Sequence, residues 1–151
     1  MKWTKGDIWI YHKLGKIIVI PTNGGWKSDM SNVMGRGLAK QASEKFTNLP
    51  LRYGKDCVHL QSYQYYKDLR LILVPSKKLN EKHPYLSWQQ ESDKDTVTTS
   101  LEWLQQNVDS FESDKVYVPI LGAGNGKMQK GLVEELMDKI LIDPKFIGVD
   151  F

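Results

Sequence analysis

"VYVPILGAGNGKMQKG", residues 116–131, begins as a β-branched run and then meets glycines at alternate positions, Gly122, Gly124 and Gly126. Lys127 follows, and from Gln129 to Leu141 the residues Leu132, Val133, Leu136, Met137, Ile140 and Leu141 fall on one helical stripe. A strand that ends in glycines and opens a helix leaves backbone N–H groups free at the turn, and α/β proteins use such groups to hold phosphates. The two best-known loops of this kind do not fit. In a Walker A reading, Leu121 stands where the first glycine belongs and Met128 where the magnesium-binding hydroxyl belongs. In a dinucleotide fingerprint Gly122 and Gly124 fit, but the next glycine, Gly126, comes one residue early. On the residues alone the loop is either a phosphate-binding turn or a glycine-rich turn with no ligand.

Working outward, the runs "DIWIY" (Asp7–Tyr11), "KIIVIP" (Lys16–Pro21), "VHLQSY" (Val58–Tyr63), "LRLILVP" (Leu69–Pro75), "KVYVPIL" (Lys115–Leu121) and "FIGVDF" (Phe146–Phe151) read as strands. The near-continuous "IIVI" and "LILV" suit strands buried on both faces of a partly parallel sheet. Between the strands lie helical stripes. One is Val97, Leu101, Leu104 and Val108 within Glu91–Val108, and another is Leu38, Ala39, Ala42 and Phe46 within Gly35–Phe46. The alternation predicts an α/β fold, a three-layer α/β/α sandwich whose mixed, mostly parallel sheet has about six strands. The stretch "SKKLNEKHPYLSWQQESD" (Ser76–Asp93) reads as one long irregular loop, and long loops in compact domains tend to be functional.

A chain of 151 residues suggests one domain, residues 1–151, with 40% hydrophobic and 26% charged residues as in ordinary globular proteins. The formal net charge of +3 is spread along the chain, which favours an anionic ligand weakly and argues against a basic nucleic-acid stripe. Cys57 is the one cysteine, so neither a disulfide framework nor a cysteine-based zinc site is expected. His12, His59 and His83 lack metal-ligand spacing, so no metal is expected. The sequence shows neither an apolar stretch of about 18 residues nor a signal peptide, and the expectation is a cytoplasmic protein with no membrane partner.

Three loops follow three buried runs: Pro21–Ala39, Pro75–Pro84 and Leu121–Met128. If those strands are parallel neighbours, all three loops meet on one rim, where open α/β sheets bind ligands. The first and third are glycine-bearing and open helices, a pair suited to a diphosphate.

The elements in this order resemble the macrodomain family, the ADP-ribose-binding fold, over essentially the whole chain. "KGDIWIY" resembles the family's N-terminal Gly-Asp-Ile signature, and "IIVIPTNGG" its strand ending in asparagine. "NVMGRGLAKQASEKF" resembles the first ligand loop and helix, and "VYVPILGAGNGKM" the second loop. "VMGRGLA", "VPSK" and "GAGNG" together are most similar to the branch of the DarG-type antitoxin macrodomains, with the terminal ADP-ribose glycohydrolase more distant.

The resemblance implies that Asp7 accepts from the adenine 6-amino group beside the Ile8 backbone. It implies that Asn23 hydrogen-bonds the distal ribose, and that N–H groups of Val33, Met34, Gly35, Arg36, Gly37 and Leu38 and of Gly122, Ala123, Gly124, Asn125 and Gly126 hold the phosphates. Arg36 and Lys127 add charge in this reading. Lys77 acts at C1″ of the distal ribose, its amine partly deprotonated by desolvation or by a cation such as Lys78. The terminal glycohydrolase pairs its lysine with an aspartate in the second loop, where this sequence has Asn125 and Gly126. On the residues alone, Asp7 also reads as a turn residue after Gly6, Asn23 as an Asn-Gly turn, and Lys77, Arg36 and Lys127 as solvated. Tyr85 or Trp88 stands either over the ligand or over the core.

The implied function is a cofactor-free, monomeric hydrolase that removes a group from C1″ of ADP-ribose, releasing it from modified DNA or protein. The alternatives are an ADP-ribose 1″-phosphate phosphatase and a non-catalytic binding module for ADP-ribose or a related signal.

Overall fold

Alternation along Ile17–Ile20 sets the layers. Ile17 and Val19 join one apolar core, while Ile18 and Ile20 join the other, because successive side chains of a strand point to opposite faces. The computed structural model describes residues 1–151, Asn125 without its side chain. Six strands are formed: β1 (Lys2–Lys5), β2 (Ile17–Asn23), β3 (Gln64–Tyr66), β4 (Leu71–Lys77), β5 (Val116–Pro119) and β6 (Phe146–Asp150). They lie in one sheet in the order β1-β6-β5-β2-β4-β3. β3 pairs with β4 antiparallel, and the remaining pairings are parallel. This is the mixed, mostly parallel sheet expected.

Helices cover both faces. α1 (Ile8–Lys13), α2 (Gly37–Lys45) and α3 (Leu49–His59) bury Ile8, Ala42, Leu49 and Tyr53 against Ile18, Ile20, Leu71 and Leu73. α4 (Lys94–Gln106) and α5 (Lys130–Ile140) bury Val97, Leu101, Leu104, Val133 and Met137 against the opposite face. The α4 and α5 stripes read from the sequence are those that pack. No described helix is long and apolar enough to cross a membrane.

Two expected strands are something else. "DIWIY" forms α1: the Asp7 carboxylate accepts from the Trp9 N–H at 3.0 Å, an N-cap that starts a helix. Ile8 and Trp9 are buried while Ile10 is 56% exposed, a pattern that a strand with one buried face does not give. "VHLQSY" opens as the end of α3, whose buried Leu49 and Tyr53 are four apart and whose Pro50 sits in the first turn, where its missing N–H costs nothing. The chain leaves that helix at Leu60, 73% exposed, and pairs only from Gln64. β1 is a strand the periodicity did not show, since "KWTK" is short and lies at the sheet edge beside β6.

Candidate ligand cleft

Because β2, β4 and β5 are parallel neighbours, their C-terminal ends open on one rim. A cleft of about 450 Å³ lies there, within the size range of small-molecule sites. One wall is Val33, Gly35, Arg36 and the first turn of α2. The other is Gly122, Ala123, Gly124 and Gly126. Asn23 and Lys77 line it from the ends of β2 and β4. A register shift after Thr22 makes Asn23 the direct partner of Lys77 across the two strands.

The walls favour an anion. α2 and α5 open on Arg36 and Gln129 with no side-chain cap and no acidic residue in the first turn, whereas Asp7 and Asp93 cap α1 and α4. Uncapped first-turn N–H groups and the positive end of the helix dipole attract negative charge. The charged lining is Arg36, Lys77 and Lys130 against Asp150, a positive excess. Gly122 adopts φ +79°, and a Cβ there would lie 2.8 Å from Ser92 Cβ, so this turn needs glycine for conformation and for space. The Ser92 Oγ beneath it is buried with no hydrogen-bond partner among the described residues.

Lys77 Nζ donates to the Trp88 carbonyl at 2.8 Å. Partial burial pushes its amine below the ordinary lysine range, and the Arg36 guanidinium lowers it further. The cation acting on it is thus Arg36 from the first loop rather than Lys78, which is exposed. Arg36 itself stacks on the Trp88 ring, 5.1 Å from its centroid.

Asn23 is buried and committed to the first loop. It donates to the Val33 carbonyl at 2.8 Å and accepts from the Gly25 N–H at 3.0 Å. One amide hydrogen remains beyond the Val33 bond, since a carboxamide carries two. Asn32, buried beside it, donates to the Asn23 and Gly25 carbonyls at 2.8 and 2.7 Å and so closes the loop on itself. The loop rests on α3, where a Cβ at Gly54 would come within 2.6 Å of the Asn32 nitrogen and 2.7 Å of the Ser31 carbonyl carbon.

Tyr53, fully buried, donates to the Ser62 carbonyl at 2.7 Å and receives the Thr22 hydroxyl at 2.7 Å, anchoring the strand end that carries Asn23. Tyr53→Phe is expected to lower the unfolding free energy by about 1–2 kcal/mol, measured by urea denaturation, because the buried Thr22 hydroxyl and the half-buried Ser62 carbonyl lose their partner. Cys57 stands on the same helix with its thiol pushed up to about 12 by burial, so it is protonated at neutral pH and is no nucleophile.

The other expected ligand residues fall as follows. Gly37 and Leu38 line the cleft. Met34 is buried in the core, and Ile8 is buried beneath α1. Lys127 is exposed, 3.9 Å from the Glu91 carboxylate. The side chain of Asn125 lies outside the described residues. Asp7 borders a second cavity of about 410 Å³ that shares Gln41 with the main cleft. Trp88, Gln41, Lys130, Asp150 and Phe151 also line the cleft. Of these, the sequence pointed to Trp88 alone, as an aromatic in a loop; the rest arrive through tertiary packing and carry no local signal. Tyr85 is exposed and packs edge-on against His83. Among the described residues no group of His, Cys, Asp and Glu could hold a metal ion.

No protein-family model matches the chain, and no curated protein matches its sequence. Solved structures are similar. The macrodomain of Mycobacterium tuberculosis DarG is 20% identical with a TM-score of 0.75, covering 99% of this chain and 97% of that one. The macrodomain of Thermus aquaticus DarG is 20% identical with a TM-score of 0.71 and the same coverage. Thermosipho africanus DarTG, solved in complex with ADP-ribose, is 20% identical with a TM-score of 0.74; the match covers all of this chain but 42% of that one. The chain has a macrodomain fold.

Proposed function

We propose that this macrodomain fold binds ADP-ribose in the cleft and hydrolyses a bond at C1″ of the distal ribose, releasing ADP-ribose from a modified DNA or protein. The observation that carries the reading is the arrangement of one cleft. Two N–H-rich glycine turns face each other across a positively charged lining, and a lysine of lowered basicity stands at the strand ends between them. The likeness to a fold solved with ADP-ribose supports the choice of ligand.

The diphosphate lies between the opening of α2 and the Gly122–Gly126 turn. The distal ribose meets Asn23, whose remaining amide hydrogen orients a hydroxyl. The adenine lies at the opposite end, where Gln41 joins the two cavities and Asp7 accepts from its 6-amino group. In the chemical step the neutral Lys77 amine attacks C1″ as the bond to the leaving group breaks, and the leaving atom takes up the proton that the newly formed ammonium gives up. Water then cleaves the lysine adduct and regenerates the amine.

Binding without turnover is the second reading. It is supported by Asn23 and Lys77 already being held by carbonyl and N–H groups of the protein. Release of phosphate from ADP-ribose 1″-phosphate uses the same ligand pose and is distinguished by substrate. Titration calorimetry is expected to rank ADP-ribose above ADP, ADP above AMP, and to give no heat with GDP, because a carboxylate at Asp7 accepts from an amine and repels a keto oxygen. Absence of heat with ADP-ribose at about 1 mM, an affinity weaker than roughly −4 kcal/mol, rejects the ligand and every reading built on it. Modified oligonucleotide, modified protein and ADP-ribose 1″-phosphate are then assayed in parallel.

A further inference from the structure

Two contacts meet on Trp88 at the Lys77 end of the cleft. Lys77 Nζ donates to the carbonyl of Trp88 at 2.8 Å. The indole of the same residue carries the Arg36 guanidinium at 5.1 Å, within cation–π range. The Lys77 amine is lowered first by burial and then by the Arg36 charge. Trp88 is held for this by a 3-10 turn, Pro84–Gln89, with Ser87 fully buried beneath it. Antiparallel pairing of Ser92 with Lys77 then returns the segment to β4.

We propose that Trp88 is a positioning residue for Lys77, fixing the amine through its main-chain oxygen and holding the Arg36 guanidinium at the same end of the cleft through its ring. Without the ring, Arg36 has an exposed position and no carboxylate partner among the described residues to keep it in place. The remaining charges around the cleft are engaged elsewhere. Lys130 pairs with Asp150 at 2.8 Å, and Glu91 lies 3.9 Å from Lys127. Asp93 caps α4 by accepting from Thr96. An uncharged residue thereby sets how readily the lysine gives up its proton, by choosing where a neighbouring cation rests. The inference rests on the reading in which Lys77 acts at C1″, but its geometry is testable without turnover.

The experiment uses the whole chain with 13C-labelled lysine and follows the Lys77 Cε resonance against pH, assigned by its loss in Lys77→Arg. In Trp88→Leu the titration is expected to move to higher pH, in the same direction as in Arg36→Gln, while Trp88→Phe stays near the parent. In the Arg36→Gln background, Trp88→Leu is expected to add little. An unmoved titration in Trp88→Leu overturns the proposal. So does a shift in the Arg36→Gln background as large as in the parent, because the ring then acts by excluding water and not by holding Arg36. Trp88→Gln serves the same test if circular dichroism shows Trp88→Leu unfolded. Failure of the catalytic reading looks different: the titrations shift as expected and no substrate is turned over.

Discussion

On the proposed reading, Lys77→Ala is expected to lose turnover by about 100-fold or more, the scale of a group taking part in the reaction, while keeping most of its affinity for ADP-ribose. The reason is the side chain's place. It stands at the end of β4 beside Asn23, whereas the phosphate contacts are assigned to backbone N–H groups of the two turns, which the substitution leaves intact. A group whose contribution belongs to the transition state lowers kcat more than it weakens binding. The pH dependence has a defined sign. Burial and Arg36 lower the amine's pKa, so the neutral form gains as pH rises, and turnover is expected to climb along a limb that starts below the ordinary lysine range. Lys77→Ala has no such limb. Single-turnover release of the C1″-linked group, measured from neutral to alkaline pH beside calorimetric affinity, checks both statements. Unchanged turnover in Lys77→Ala sinks the covalent role and leaves the ribose to be attacked by water.

Gly54→Ala destabilises the protein by at least about 3 kcal/mol, the upper end for overpacking a core. The atoms in the way are the Met30 carbonyl, the Ser31 carbonyl carbon and the Asn32 nitrogen, all backbone, so no rotamer change relieves the overlap. The loop and α3 must part instead, and the Asn32 N–H that donates to the Pro50 carbonyl at 2.9 Å goes with them. Since Asn32 also ties Asn23 and Gly25, the loss reaches the cleft from a helix that does not line it. Thermal unfolding and ADP-ribose titration of the variant are expected to worsen together. A variant as stable as the parent shows that the loop accommodates the methyl group and rejects the tight contact as a constraint.

The central sheet was legible because long apolar runs such as "LILV" have few alternatives to a strand covered on both faces. The α4 and α5 stripes were legible because they span more than two turns, enough for a 3.6-residue period to show. "DIWIY" is too short for that distinction. Its β-branched and aromatic residues favoured a strand, and the deciding hydrogen bond from Trp9 to Asp7 is a local cap that propensity does not weigh. α3 was obscured because its two large buried residues, Leu49 and Tyr53, are separated by Pro50, the exposed Leu51 and Arg52. At the cleft, the glycine turns and Lys77 announce themselves through residue type and position after a strand. Asn32 does not, and neither does the contact of Arg36 with Trp88, because both depend on groups arriving from other parts of the chain. The pairing of Lys127 with Glu91 is likewise a tertiary outcome.

The register shift after Thr22 has a consequence for how such a site can diversify. Asn23 and Lys77 face each other as rungs of neighbouring parallel strands, so their separation is set by the ladder, about 4.8 Å between strands, and not by any loop. The exposed residues Glu81 and Lys82 lie beyond that ladder. Insertions there change what approaches the mouth of the cleft while the pair at its base keeps its spacing. Reach toward a larger or smaller modified partner is thus an evolvable property, separable from the chemistry assigned to the two strand ends.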